Sequence, residues 1–159
     1  MKIQASIVSE LAMGGIMLLN KEVIKTDKAP LPVAHYSQAI KCGNLVFLQG
    51  LIAIDPSTNK IVSGGIREHT LQVFKNISAI LEGAGLDRSH ILRVTVFLTN
   101  LKDYNEFNRT YNTFFDNKVP PVRTTVQAKV PLGSRLEIEA TAYCPDHDSV
   151  GDDASIETG

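Results

Sequence analysis

The sequence predicts one mixed α+β domain with the element order βββαβαββ, in which two helices cover one face of a sheet. Three observations support this prediction. Segments near both ends of the domain alternate polar and apolar residues, as half-buried strands do. Two longer segments between them carry apolar residues at helical spacing. The chain has 159 residues, which is enough for one domain with a hydrophobic core and too few for two ordinary ones.

Three strands are predicted before the first helix. Residues 22–26 have the pattern of a strand. Residues 37–42 and 45–49 indicate a hairpin that turns at Gly43-Asn44. The residue types of Asp55 to Asn59 are typical of a turn, so the chain turns again before the first helix.

Two amphipathic helices flank the next strand. From residue 65 to about residue 83 the apolar residues have helical spacing and a glycine ends the run, which predicts a helix with one buried stripe. Residues 91–98 alternate and predict a strand. Residues 101–114 again have helical spacing, and Asn100 is the expected N-cap of this second helix.

The last two predicted strands carry an arginine and two carboxylates. Residues 122–126 and 134–140 both alternate, and because only about seven residues separate them, we expect a hairpin-like pairing. That pairing would put Arg123 on one sheet face with Glu137 or Glu139. An arginine fork binds a carboxylate or phosphate through two hydrogen bonds, and a nearby glutamate can transfer protons. The alternative interpretation is a structural salt bridge on a solvated face.

The sheet face away from the helices is expected to be polar. Its predicted residues are Arg93, Thr95, Phe97, Arg123, Thr125, Gln127, Glu137 and Glu139. This face mixes arginines, carboxylates and an aromatic residue and is poor in lysine. Such a mixture is more typical of an interface or a binding site than of an open surface.

Composition narrows the classes of function. A hydrophobic content of 43% and a charged content of 21% indicate a soluble globular protein, for which we expect a cytoplasmic or alternatively a mitochondrial location. The net charge of −1, without a Lys/Arg cluster, argues against a nucleic-acid partner. No Cys/His spacing indicates a metal, and no P-loop, dinucleotide-binding glycine pattern or Ser-His-Asp set is present.

The two ends of the chain are predicted to lie outside the domain, which spans residues 22–144. Residues 1–21 form an N-terminal extension whose apolar stretch is far shorter than the roughly 20 residues that cross a bilayer, so no membrane partner is expected. An organellar leader, an atypical extension and a misassigned start remain open for it. Residues 145–159 are acidic and are predicted to be a disordered or loosely held tail.

The motifs, taken in order, resemble the reactive-intermediate deaminase family, also called RidA or YjgF. The family's C-terminal signature is matched by Pro121, Arg123, Thr124, Pro131, Leu136, Glu137, Ile138, Glu139, Ala140 and Ala142. Further matches are Tyr36-Ser37-Gln38-Ala39, Gln49-Gly50, Asp55-Pro56, Gly83-Ala84-Gly85 and the run from Asp103 to Asn108. The likeness extends from about residue 23 to residue 143.

Three positions depart from the family pattern, and the first two lie near the expected substrate cleft. Ala34-His35 stands where many members have Gly-Pro, and Gln49-Gly50-Leu51 stands where many have Ser-Gly-Gln. Thr125 replaces a cysteine that many members carry. The first two departures put the substrate range in question.

The resemblance implies a chorismate-mutase-like fold, a homotrimer with clefts between subunits, and an activity without a cofactor or metal. That activity is the hydrolysis of reactive 2-imino acids and enamines, released by pyridoxal-dependent dehydratases, to 2-oxo acids and ammonia. By the same resemblance, Arg123 corresponds to the anchor of the substrate carboxylate. Glu137 corresponds to the residue that positions or activates water.

Four further residues are candidates for substrate binding. Tyr36 would orient the substrate through its hydroxyl, and Gly50 would allow the backbone to approach the ligand closely. Thr125 would line the pocket beside Arg123. For Asn108, both a structural hydrogen bond and a contact with the cleft are open.

Two other functions remain as alternatives. A ribonuclease or translation inhibitor, a label often attached to this family, would need a basic groove. A non-enzymatic trimer that binds small molecules or acts like a chaperone would follow if Ala34-His35 and Leu51 have altered the pocket.

Overall fold

The computed structural model describes residues 20–116 and 119–145. The strands are β1 (Lys21–Ile24), β2 (Ala39–Cys42), β3 (Leu45–Leu48), β4 (Leu51–Ile52), β5 (Ile54–Asp55), β6 (Lys60–Ile61), β7 (Ile91–Leu98), β8 (Val122–Gln127) and β9 (Leu136–Tyr143). The helices are α1 (Ile66–Gly83) and α2 (Tyr104–Phe114), with 3₁₀ turns at Arg88–His90, Leu101–Asp103 and Pro131–Gly133. The longer elements follow the predicted order βββαβαββ. Strands β4 to β6 are additional, since two residues are too few for alternation to be recognised.

One mixed sheet forms the centre of the fold. Its strand order is β1-β2-β3-β9-β7-β8, with β4 also beside β9, while β5 and β6 make a separate ribbon. All neighbours are antiparallel except β7 and β8, which run parallel. The predicted hairpin between the last two strands is wrong, because β7 lies between them. A parallel pair needs a crossover connection, and α2 provides it.

The register of β7 assigns each neighbouring residue to a face of the sheet. Val94 pairs with Arg123 of β8 and with Ala140 of β9, whereas Phe97 pairs with Glu137. Paired residues direct their side chains to the same face. Arg123 therefore lies on the buried face with Val94, and Glu137 lies on the opposite one. The prediction that they share a face is wrong.

The same register corrects the predicted open face of the sheet. Thr125 and Gln127 follow Arg123 onto the buried face, while Glu139 stays with Glu137. Alternation shows which residues of one strand point the same way. It does not show how two strands are paired, and a shift of one residue exchanges the faces.

Helix α1 packs on the sheet through one apolar stripe. The helix begins where the backbone N–H of Gly65 donates to Oε2 of Glu68 at 2.8 Å. Beyond its last turn, Gly85 has a φ of 71°, which reverses the chain as glycine does most readily. The buried apolar residues of the stripe are Ile66, Val73, Phe74, Ile77, Ala79, Ile80 and Leu81.

Helix α2 lies beside α1 on the same face of the sheet. Phe74 stacks on Phe114 with ring centroids 4.1 Å apart and meets Tyr111 edge-on at 6.0 Å. Oδ1 of Asn100 accepts the N–H of Lys102 at 2.9 Å, so the predicted cap is present. It caps the 3₁₀ turn that precedes α2.

The two faces of the sheet differ in what covers them. Val94, Val96 and Leu98 are fully buried beneath the helices. On the opposite face Val23, Phe47 and Val122 are among several large apolar side chains that remain exposed. A partly apolar, uncovered sheet face is typical of a surface that meets another molecule.

The predicted extension and tail fall almost wholly outside the described residues, which include only residues 20 and 21 of the first and residue 145 of the second. Among the helices described, none has the length and apolar character needed to cross a membrane.

Candidate functional site

Two concave surfaces contain most of the residues singled out in the sequence. The first, called here the Glu137 cleft, has a volume of about 720 Å³ and is lined by side chains from segments 30–40, 47–54 and 131–137. The second, called the Arg123 groove, has a volume of about 460 Å³ and is lined by Leu101, Tyr104, Arg123 and Thr125.

Glu137 enters its cleft over a glycine. A Cβ built on Gly50 would overlap Oε1 of Glu137 and would lie 2.9 Å from its Cδ. Any larger residue at position 50 would therefore displace the carboxylate. Gly50 was expected to let a ligand approach the backbone, and in this fold it admits the carboxylate of Glu137.

The electrostatic setting of Glu137 favours proton transfer. Burial raises the pKa of its carboxyl group, and Glu139, two residues along the same face, raises it further. Within the described ranges the carboxylate has no hydrogen-bond or ion-pair partner from the chain. A carboxylate with these properties can accept a proton from a water molecule at a pH closer to neutrality.

A buried amide fixes one wall of the Glu137 cleft. Nε2 of Gln38 donates to the backbone oxygens of Thr26, Ala29 and Pro30 at 3.0, 3.2 and 3.0 Å. Its Oε1 accepts the N–H of Thr26 at 2.8 Å. The start of the wall is thus attached to the sheet at the point where β2 begins.

Tyr36 stands in this wall and is half exposed. Its hydroxyl accepts the N–H of Val33 in a long hydrogen bond of 3.4 Å. A phenol can also donate a hydrogen bond through its O–H. Tyr36 therefore lines the same cleft as Glu137 and Gly50.

Gln49 is a polar residue of the cleft that sequence reasoning did not propose as a site residue. Its backbone N–H donates to the carbonyl of Gln38 at 3.0 Å, which fixes its position. Its Oε1 is buried and has no hydrogen-bond donor within the described part of the chain. A buried acceptor without a donor is costly, so this oxygen is available to a ligand. The departure from the family's Ser-Gly-Gln was the signal that could have identified it.

The guanidinium of Arg123 lies against aromatic side chains of α2. Its Nη2 donates to the hydroxyl of Tyr104 at 3.1 Å, and its Cζ lies 4.4 Å from the ring centroid of Tyr111 and 5.6 Å from that of Phe107. Among the residues described, no carboxylate lies within 4.0 Å of it. The rings hold the fork in place and leave its charge available to an anion.

Tyr104 and Tyr111 were not predicted to support Arg123. The spacing of Tyr104, Phe107 and Tyr111 along α2 places the three rings on one helix face, and this spacing was visible in the sequence. What was missing was the assignment of Arg123 to the helix side of the sheet.

Besides Oδ2 of Asp103, three oxygen atoms on this side of the sheet are buried without a hydrogen-bond partner in the described residues. They are Oγ1 of Thr125, Oδ1 of Asn108 and the hydroxyl of Tyr111. Burial raises the pKa of Tyr111, so its hydroxyl keeps its proton. The structural hydrogen bond considered for Asn108 is not made by this oxygen.

The predicted site residues thus divide between two places. Tyr36, Gly50 and Glu137 meet in the Glu137 cleft, whereas Arg123 and Thr125 meet in the Arg123 groove. The groups of Arg123 and Glu137 point to opposite faces of the sheet. One chain alone therefore does not present both groups to one small ligand.

Within residues 20–116 and 119–145, no three His, Cys, Asp or Glu side chains are grouped as metal ligands.

The family model and the individual relatives that match this chain point to the same protein family. Residues 26–144 match the family model described as Endoribonuclease L-PSP. A RutC family protein from Aquifex aeolicus is 46% identical over 121 residues, which cover 75% of this chain and 96% of that protein. A mouse protein named 2-iminobutanoate/2-iminopropanoate deaminase is 37% identical over 122 residues, which cover 77% of this chain and 90% of the mouse protein.

Solved structures agree with the sequence comparison. The crystal structure of YyfA, a conserved Rid-family protein from Yersinia pestis, superposes with a TM-score of 0.76 at 37% identity, covering 78% of this chain and 99% of that one. The mixed sheet with two helices described above is therefore the fold of Rid proteins. The extent of the family match, the identity to its members and the shared fold together show that this chain belongs to the RutC and reactive-intermediate deaminase family.

Proposed function

We propose that this protein hydrolyses 2-imino acids, and the enamines from which they form, to 2-oxo acids and ammonia. The observation that carries the proposal is a pair of charged groups without a counter-charge in the described residues, a guanidinium among aromatic rings and a carboxylate of raised pKa over a glycine. A 2-imino acid offers a carboxylate to the first and an electrophilic C=N carbon to the second. The mouse relative's name describes this reaction, which supports the assignment.

The proposed active unit is a homotrimer of the chorismate-mutase-like type. Since Arg123 and Glu137 lie on opposite sheet faces, a site that uses both needs two copies of the chain. A contact that joins the Arg123 groove of one copy to the Glu137 cleft of the next is heterologous, and such contacts form a ring when the rotation between copies closes. The exposed apolar residues Val23, Phe47 and Val122 would be buried in the same assembly.

In this site Arg123 holds the substrate carboxylate through its planar fork. Thr125 lies two residues along the same strand face and supplies a hydroxyl beside it. The protonated imine carries N–H groups that need acceptors, and the unpartnered Oε1 of Gln49 is one. Binding of one ligand would thus satisfy polar atoms contributed by both copies.

The chemical step is an addition followed by an elimination. Glu137 takes a proton from water as the water oxygen bonds to the iminium carbon, which gives a neutral carbinolamine. Glu137 then gives this proton to the amine nitrogen and, ionised again, takes the proton of the hydroxyl as the C–N bond breaks, which yields ammonia and a 2-oxo acid. Glu137 finally releases the remaining proton to solvent. The iminium is already electrophilic, so the protein contributes mainly orientation and proton transfer.

The test supplies imines directly. A flavin amino-acid oxidase releases a 2-imino acid in solution, semicarbazide traps it, and the protein should lower the rate of semicarbazone formation in the presence of a chelator. A trimeric Glu137→Gln protein should fail to do so, because it retains shape but cannot accept the proton. Equal trapping with and without the wild-type protein would remove the deaminase assignment.

The name of the family model also makes ribonuclease activity a candidate to be tested. The same preparations are incubated with RNA, with Arg123→Ala as the control. We expect no RNA cleavage above that control. Cleavage that persists through purification and is lost in the variant would give the ribonuclease priority over the deaminase.

A further inference from the structure

We infer, on the basis of the proposed deaminase function, that His69 is a positioning residue for Glu137. The side chain of Glu137 reaches its place between two backbone segments. Residues 50–52 supply the glycine that admits the carboxylate, and residues 134–137 lead into β9 and carry it. Strands β4 and β9 pair over only two residues of each strand. So short a pairing leaves the spacing of the two segments to other bonds.

A closed set of hydrogen bonds, called here the His69 network, joins these two segments. The N–H of Arg135 donates to Nδ1 of His69 at 3.1 Å, and the N–H of Ala53 donates to Oγ of Ser134 at 3.2 Å. The N–H of Val62 donates to the carbonyl of Ala53 at 2.9 Å. The network closes because the imidazole of His69 also makes a hydrogen bond to the backbone of Val62.

The two hydrogen bonds of His69 fix the tautomer of its imidazole. Nδ1 accepts a hydrogen bond, so in the neutral ring the proton is on Nε2. The N–H of Val62 already donates to Ala53, so Nε2 donates to the carbonyl of Val62. Burial, and then the charge of Arg135, lower the pKa of His69 and favour this neutral form, while the Val62 bond and the charge of Glu68 oppose them with smaller effect.

The His69 network is internal to one chain. His69, Ala53 and Ser134 are only 4%, 0% and 2% exposed before any second copy is added. Association with another copy therefore does not need to displace any of these side chains. The spacing that the network sets carries over to the proposed trimer, in which another copy covers the cleft.

Further hydrogen bonds hold the same stretch of chain from other directions. The carbonyl of Arg135 accepts the N–H and the Oγ1 hydroxyl of Thr99, both at 3.0 Å. Oγ of Ser134 donates to the carbonyl of Leu136 at 2.8 Å. Loss of the His69 imidazole would leave the N–H of Arg135 without its partner next to these fixed points. A buried donor without an acceptor is costly, so the segment would shift to find a new one and would move Glu137 with it.

The experiment measures kcat for the imine that amino-acid oxidase makes from 2-aminobutanoate. His69→Leu removes both hydrogen bonds, so kcat of the trimeric variant should be about tenfold or more below wild type, because the base is misplaced. His69→Gln keeps an acceptor and a donor on one side chain, so it should restore kcat to within about threefold of wild type. Calorimetry with 2-oxobutanoate should give nearly the wild-type Kd for both variants, because Arg123 lies outside the network.

A titration of Glu137 gives a second readout, which does not need turnover. Protein labelled at the glutamate carboxyl carbons is followed by NMR against pH, and the Glu137 signal is identified by its absence from Glu137→Gln. Burial raises the pKa of Glu137, so a carboxylate displaced toward solvent should titrate nearer its ordinary value. We expect this fall in pKa in His69→Leu and not in His69→Gln.

Two further variants separate positioning from loss of stability. Ile80→Ala removes buried apolar surface from the same helix, so it should lower the melting temperature by at least as much as His69→Leu and leave kcat of the folded trimer unchanged. Ser134→Ala breaks the network with a smaller change in shape. It should lower kcat by about threefold or more, and it serves as the test if His69→Leu does not fold.

The results distinguish the role of His69 from the proposed function. Wild-type kcat together with an unchanged pKa of Glu137 in His69→Leu, or in Ser134→Ala where the first variant does not fold, overturns the positioning role and leaves the deaminase in place. An equal loss of kcat in Ile80→Ala does the same, since the loss would then follow stability alone. If the wild-type protein accelerates no imine, the deaminase and the role of His69 in it are both overturned.

Discussion

The Glu137 cleft and the Arg123 groove carry charged groups of opposite sign. The cleft places an acidic group over a glycine within mostly apolar walls, and its pKa is raised. The groove places a basic group against aromatic rings that position it without neutralising it. Each charged group lacks a counter-charge in the described residues of its own chain. Each surface therefore gains a counter-charge only when a ligand or another copy of the chain binds to it.

The lack of a counter-charge has a cost in free energy. A partly buried charge without a partner is unfavourable, and burial without a partner shifts a carboxyl toward its neutral form. The two surfaces differ in sign, so bringing them together relieves both. Assembly and substrate binding would therefore reinforce one another.

The largest effect is expected from mixing two inactive variants. Arg123→Ala and Glu137→Gln proteins should each retain below about 1% of wild-type activity, since each lacks one essential group. Mixed trimers, made by co-expression with two tags, contain one native pair of surfaces among three. They should recover about one third of the wild-type activity.

The mixing result decides whether the two surfaces work together. If the site lay within one chain, no mixed trimer would contain a complete site, and the activity would stay at the level of the parents. Wild-type chains carrying the same two tags control for effects of purification.

The next largest effect concerns the shape of the charge in the groove. Arg123→Lys keeps the charge and loses the planar fork, so transition-state binding should weaken by about 1.5–3 kcal/mol, as when a charged hydrogen bond is removed. The fall in kcat/KM, measured on trimeric protein, should be about 10–150-fold. Arg67→Lys, on an exposed arginine of α1, is the matched control and should have wild-type kinetics. A fully active Arg123→Lys protein would mean that only charge matters there.

A smaller effect is expected from the glycine in the cleft. The methyl group of Gly50→Ala would displace the Glu137 carboxylate, and kcat should fall by about 10–100-fold because the base is misplaced. The control is Gly65→Ala, whose Cβ would meet Oε2 of Glu68 at an ordinary 3.5 Å. Unchanged kcat in Gly50→Ala would show that the carboxylate need not lie where the cleft holds it.

The smallest effect concerns stability and its dependence on pH. The folded-state pKa of Glu137 is raised, so ionisation of Glu137 destabilises the folded state at neutral pH, and this cost disappears below the pKa of the unfolded chain. In an Arg123→Ala background, Glu137→Gln should therefore raise the melting temperature at pH 7 by about 1–3 °C, with no gain near about pH 3.5.

With Arg123 present, the same Glu137→Gln change should raise the melting temperature less. In the proposed trimer, the Arg123 guanidinium of the adjacent copy offsets the negative charge of the Glu137 carboxylate. An equal gain in both backgrounds would show that the two groups do not interact in the assembly.

Much of the fold could be predicted because residue patterns within short segments of the sequence determine the individual strands and turns. Residues 91–98 were predicted as a strand and form β7 with those bounds, and the alternation is clear from Val94 to Leu98. The hairpin at Gly43 was also correct, and Gly43 has the positive φ of 58° that such a turn needs.

The arrangement of the last two strands could not be read from alternation. A strand, a helix and a strand in sequence indicate a parallel pair, and that signal at β7, α2 and β8 competed with the short spacing before β9. Arg123 was proposed as a site residue but was assigned to the wrong face of the sheet. The departure from Ser-Gly-Gln marked the position of Gln49, but Gln49 was passed over because its buried oxygen without a donor is visible only in the packing.

The amide of Gln38 has a consequence for how such a protein can change over generations. It holds the chain at residues 26–30 through four backbone hydrogen bonds, which do not depend on the side chains of that segment. Residues 31–35, which follow directly, can therefore be exchanged without loosening the attachment. One buried side chain thus separates a part of the molecule that must be kept from a part that is free to diversify, and the range of ligands can shift while the sheet stays as it is.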